Sequence, residues 1–157
     1  MTFQYGGPVL MESVSNTTAT LGVNSPQLGT KAMINGEDYI FVYNGGGASI
    51  TAGHAVVMSN ISGVQTYNVS VSSVTQVDFG FGLCKHQTIA TGYYGWVMSR
   101  GFASFKTDGT INALGGGLML GANGAIATAI NGHTTPICGK LLQTTTGGAG
   151  YGYFFFQ

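Results

Sequence analysis

The sequence predicts an all-β fold, a compact sandwich or barrel of eight to ten short strands. It would be jelly-roll-like if two pseudo-repeated halves pack together, with an extended N-terminal arm in front. Three observations carry the prediction. Turn signals recur every ~8 to 12 residues between short apolar runs, the spacing of an all-β domain. Glycine is abundant, 27 of 157 residues, while charge is scarce at five basic and five acidic side chains; an ordinary globular chain has about a quarter of its residues charged. No segment carries a helical period either, because the alanine-rich stretch at 122–130 is broken by Asn123-Gly124 and has no charged face.

The same arithmetic excludes other classes. A content of 44% hydrophobic and 11% aromatic residues leaves ample apolar surface to bury, which argues against a disordered chain. No apolar run approaches the ~20 residues of a membrane span, and three prolines without a strict glycine period do not make collagen. A formal net charge of zero lacks the basic footprint of a nucleic-acid binder. With so little self-repulsion, the chain is expected to live associated with something. Residues 1–10 show no basic region followed by an apolar core, so a mature chain starting near Met1 and made in a reducing cytoplasm is expected. Two cysteines, Cys84 and Cys138, are too few for a secreted disulfide scaffold; whether they are bridged stays open at this point.

Taken in order, residues 1–35 read as the arm and 36–157 as the β domain. The arm is Ser, Thr, Asn and Gly with scattered apolars and no period. Lacking a core of its own, it is expected to order against a neighbouring subunit or another protein chain. The first strand is 38–43 (DYIFVY), with Tyr39, Phe41 and Tyr43 on one face and Ile40 and Val42 on the other, so both faces would be covered. Asn44 to Gly47 supplies a turn. Further strands are expected at 55–58, 66–71, 79–84, 94–99, 102–106, 117–120, 126–130, 137–143 and 151–155. In 66–71, Tyr67, Val69 and Val71 alternate with Asn68 and Ser70, the period of a half-buried strand. An internal repeat is read between 84–97 and 138–155. Each begins at a cysteine with a lysine nearby, passes a Thr-containing stretch and a glycine turn, and ends on aromatic-Gly-aromatic. That repeat pairs Cys84 with Cys138 as small buried side chains.

Residues 80–101, GFGLCKHQTIATGYYGWVMSRG, are the most distinctive segment. Gly82 and Cys84 precede a polar spacer, and Gly92, Tyr94, Gly95, Trp96, Val97 and Gly101 follow it. This layout resembles the central motif of small phage head decoration (capsid cement) proteins. The flanks, Thr51-Ala52-Gly53 before and Asp108-Gly109-Thr110 after, are similar in arrangement, so the resemblance spans about 38–157. Met98 and Ser99 depart from it, standing where stronger strand alternation is common.

The resemblance implies a non-enzymatic homotrimer on the outer capsid surface, stabilising the head by binding its major capsid protein, with no nucleic acid, membrane or cofactor involved. The residues themselves say that Tyr94 and Trp96 share one face of a strand while Gly95 and Val97 share the other. The aromatics would then fill a barrel mouth, an interface or the core, and Gly95 would admit a close backbone. With five cations and five carboxylates, attachment is expected to rest on apolar burial and backbone hydrogen bonds.

Catalytic and metal chemistry find little support. Glu12, Glu37, Asp38, Asp78 and Asp108 read as arm, strand-start or turn residues, and nothing in their spacing pairs them as a glycosidase would require. His54, His86 and His133 with Cys84 lack CxxC or HxxxH spacing, so no metal site is expected. A Cys84–His86 nucleophile pair has no orienting third group. Neither Gly45 to Gly47 nor Gly115 to Gly117 leads into a phosphate-binding fingerprint. The alternative function is a tail-fibre or adhesin-type β domain whose exposed aromatics bind host surface sugars.

Overall fold

The computed structural model describes residues 17–22, 25–58, 67–72, 80–107, 109, 114–129, 137–144 and 148–156. Among these, ten strands form one sheet and a single 3-10 turn spans Ala122–Gly124. The strands are β1 (Lys31–Ile34), β2 (Glu37–Asn44), β3 (Ala55–Met58), β4 (Asn68–Val71), β5 (Gly80–Leu83), β6 (Tyr94–Lys106), β7 (Gly117–Leu120), β8 (Ile126–Thr128), β9 (Gly139–Thr144) and β10 (Ala149–Phe155). The all-β expectation holds, in the form of a closed five-strand barrel with additional outer strands.

Closure follows from the pairing. The ring runs β2-β4-β3-β5-β6 and returns to β2; only the β2–β4 contact is parallel. A closed ring leaves no unpaired edge, which suits a chain with few charges to guard one. Its interior holds Ile40, Val42, Ile50, Val56, Val69, Cys84, Ile89 and Val97, all 8% exposed or less.

Strands β7 to β10, together with β6, repeat the scheme. In the first ring Asn44 faces Val69 of β4 in a parallel pair, and Val42 faces Gly95 of β6. In the second, Thr107, just past β6, faces Ile126 of β8 in a parallel bridge, and Phe105 faces Gly150 of β10. Val56 of β3 lies between Val71 and Gly82, just as Leu118 of β7 lies between Thr128 and Gly139. The order β2-β3-β4-β5-β6 therefore recurs as β6-β7-β8-β9-β10, with the long β6 serving as last strand of one set and first of the next. This is the internal repeat, in a different register from the one the cysteines suggested. The Gly53 N–H donates to the Cys84 carbonyl at 2.7 Å, and the Gly115 N–H to the Leu141 carbonyl at 2.8 Å. Cys84 thus corresponds to Leu141, not to Cys138.

Two expectations about strand limits need correction. Lys31–Ile34, read within the arm, pairs antiparallel with β2. The overlooked signal is Asn35-Gly36, whose φ values of 51° and 79° make the primed two-residue turn that hairpins favour. The expected break between 99 and 102 is instead continuous strand. The register shifts where Arg100 faces Asp38 and Met98 faces Tyr39, and Gly101 at φ 143° carries the chain onward. This bulge lets one half of β6 pair with β2 and the other with β10. Residues 1–16 lie outside the described residues.

A second core joins the two rings. Ala103, Phe105, Leu118, Ile126, Leu141 and Phe154 are buried with Tyr39, Phe41, Trp96 and Met98 from the outward face of the first barrel. Both faces of β2 are covered, as its sequence indicated. The half-buried pattern expected of β4 is only partly seen, because Asn68 is buried at 4% exposure and its Oδ1 accepts from the Gly45 N–H at 2.8 Å.

Candidate functional site

Ionic chemistry gathers where β2 meets the segment after β5. The Lys85 ammonium lies 2.5 Å and 2.6 Å from the two Glu37 carboxylate oxygens. The Tyr39 hydroxyl donates to Glu37 Oε2 at 2.7 Å, so the His86 Nε2 at 2.9 Å acts as the N–H donor to that hydroxyl. Burial opposes the Glu37 charge, but the hydrogen bonds from Lys85 and Tyr39 and the Lys85 charge outweigh it and hold the carboxyl below its ordinary value. Burial, then the bond to Glu37, pushes the Tyr39 phenol upward. A carboxylate so fully engaged is a structural anchor, and a phenol so resistant to ionisation is a poor base.

Next to this network is a cavity of about 590 Å³ lined by His54, Lys85, His86, Ser104 and Lys106 among others. Both imidazoles are held below their usual value, by burial first and then by a neighbouring ammonium, Lys106 for His54 and Lys85 for His86; Glu37 partly offsets the effect at His86. Among the described residues no group of three or more His, Cys, Asp or Glu could hold a metal ion. Glu12, Asp78, Asp108 and His133 lie outside the described residues.

The structure separates Cys84 from His86. The Cys84 thiol turns into the first barrel and donates to the Gln87 carbonyl at 2.9 Å, whereas His86 packs outside against Tyr39. Cys138 donates to the Leu118 carbonyl at 3.4 Å. Both are free, buried thiols, and burial pushes each up to about 12.

The Tyr94-Gly95-Trp96-Val97 motif lies at the junction of the two cores. Trp96 is 3% exposed and meets Phe41 edge-on at 5.2 Å, while Val97 points into the first barrel. Tyr94 is half-buried beside Tyr43 at 4.9 Å. Gly95 is needed for close approach, though to a side chain and not the expected backbone: a Cβ there would sit 2.8 Å from Ile89.

A different surface carries exposed aromatics. Along the second half of β6, Phe102, Ser104 and Lys106 face outward between the buried Ala103 and Phe105. Register carries this face across β10 and β9: Ser104 stands beside Tyr151 and Gln143, Phe102 beside Tyr153 and Lys140, and Arg100 beside Phe155. Phe102 stacks on Tyr151 at 6.4 Å and tilts against Tyr153 at 4.8 Å. Arg100 Nε donates to the Tyr153 hydroxyl at 2.8 Å. The period of two in Tyr151, Tyr153 and Phe155 was the available signal for this face, but sequence could not say which side of β10 would be covered.

This topology is also found in a solved structure. The fold is similar to that of a bacteriophage head fibre base. The N base of the head fibre gp8.5 in bacteriophage phi29 is similar with a TM-score of 0.53 at 11% identity, over 74% of this chain and 92% of that chain. No family model matches the chain, and no curated protein matches it in sequence. At that identity the likeness to the fibre base is one of fold.

Proposed function

We propose that this chain is a phage virion structural protein that works by binding, as a fibre-type module on the particle. The observation that supports it most is the fold shared with a head fibre base, over nearly the whole length of that chain. Scarce charge and the absence of a metal-binding cluster among the described residues accord with a binding role. Because the similar structure belongs to a head fibre, seating on the outer capsid surface against the major capsid protein is favoured over a tail position. A homotrimer is the proposed assembly, since several copies of a weak apolar contact add their effect. Cryo-electron microscopy of purified particles tests the reading. Density for this fold projecting from the head is expected, and its absence from the particle would overturn the proposal.

A further inference from the structure

We infer that the outward face of the second half of β6, with β10 and β9, binds an anionic polysaccharide that carries carboxylates between its sugar rings. The inference rests on the reading that the protein works by binding, but not on where in the particle it sits.

Two features of the face combine. Phe102, Tyr151 and Phe155 are 46%, 38% and 38% exposed and, with Tyr153, form a connected aromatic ledge. Flat apolar rings with hydroxyls at their edges complement the faces of pyranose sugars, which are apolar in the middle and polar around the rim. The rows also hold Arg100, Lys106 and Lys140, three of the five cations in the chain; one carboxylate, Asp38 of β2, faces Arg100, and none stands beside Lys106 or Lys140 in the β6, β10 and β9 rows. Its Lys106 end opens into the cavity that His54 and Lys85 line, so an acidic substituent has a recess to enter.

Spacing decides which anionic polymer fits. Lys106 and the Phe102 row with Lys140 are four residues apart along β6, which at ~3.3 Å per residue is about 13 Å. Aromatic rings fill the interval. A single-stranded nucleic acid would also stack on such rings, but it brings a phosphate with every base and is held by a dense basic groove. Lys106 and Lys140 at this spacing match a chain whose charges are interrupted by neutral rings. A copy of the same face would set cations against cations wherever equivalent rows met.

The test uses the full chain in affinity gels. The probes are polygalacturonate, neutral dextran, poly-glutamate and an oligo-dT strand. Retardation by polygalacturonate well beyond that by dextran or poly-glutamate is expected. The pairs Phe102→Ser with Tyr151→Ser, and Lys106→Gln with Lys140→Gln, should each weaken it about tenfold, whereas Lys31→Gln on β1 should not. Circular dichroism and Trp96 fluorescence show whether the variants remain folded; the lysine pair keeps the test decisive should the aromatic pair fail to fold. Equal retardation by poly-glutamate, preference for oligo-dT, or no retardation at all overturns the inference. So does a result in which the variants alter only the oligomeric state, which would make the face a contact between copies. Absence from the virion would sink the proposed function and leave this binding result standing.

Discussion

A Cβ placed on Gly139 would lie 2.6 Å from the carbonyl oxygen of Tyr153. Its counterpart in the first half, Gly82, would meet the Met98 carbonyl at 3.0 Å and Val97 at 2.9 Å. Equivalent strands of the two halves thus need glycine at equivalent places, because a neighbouring strand passes too near for any side chain.

Gly139→Ala and Gly82→Ala should each destabilise the protein by roughly 1–3 kcal/mol, the usual range for overpacking. Backbone atoms cannot swing aside as a flexible side chain can, so Gly139→Ala should cost more. At Gly47, where nothing lies within 4 Å, alanine should be close to neutral. Urea unfolding midpoints of the three variants check the order.

Trp96 is the sole tryptophan of the chain and is 3% exposed. Its emission should be blue-shifted and resist iodide quenching until the protein unfolds. Trp96→Ala should lose about 3–5 kcal/mol, the usual cost of deleting a large buried aromatic. If iodide quenches native Trp96 as readily as the unfolded chain, its core placement is wrong.

Acid should weaken the fold in two stages. The His54 and His86 values are lowered in the folded state, so below the ordinary value of about 6.5 the unfolded chain takes up protons that the folded one refuses. Stability falls from there until the folded imidazoles also titrate. The Glu37 value is lowered as well. Its contribution is present above the usual carboxyl value of 4.5 and disappears as pH falls through the lower folded value. Glu37→Gln should remove the second stage and cost about 1 kcal/mol near neutrality, since the Lys85 pair is partly solvated. Melting temperatures from pH 8 to pH 3 for wild type, Glu37→Gln and the double variant His54→Gln with His86→Gln separate the stages.

Removing residues 1–35 should lower the melting temperature, contrary to the expectation for a detachable arm. β1 pairs along β2, the Phe41 N–H donates to the Thr30 carbonyl at 2.9 Å, and the Gly29 N–H donates to the Phe41 carbonyl at 2.8 Å. Loss of these partners bares that side of β2 from Glu37 to Phe41. Unchanged melting of the truncated chain would refute this account.

Cys84 and Cys138 should react with a disulfide reagent far more slowly in the native protein than after denaturation. Their thiols are buried and pushed up to about 12, leaving almost no thiolate at neutral pH. Thiol titration with and without guanidinium measures it; fast native labelling of either would contradict the burial.

Period, glycine placement and charge were enough by themselves to determine that this chain is all-β, where most of its strands lie, and that β2 is covered on both faces. These are local properties: Ile40 and Val42 alternate with Tyr39 and Phe41 whatever they later touch. The existence of a repeat was also legible, because both halves must supply small residues where strands approach. Its register was not, since Cys84 looks like Cys138 in composition, whereas only the ladder bonds from Gly53 and Gly115 show that it corresponds to Leu141. Ring closure, the passage of β6 through a bulge from one ring to the next, and the Glu37–Lys85 pair across 48 positions all depend on which strands become neighbours. So does the exposure of Phe102 and Tyr151: a strand's sequence shows that it has two faces, but only the packing of the second core against Phe105 and Phe154 decides which face is left to solvent.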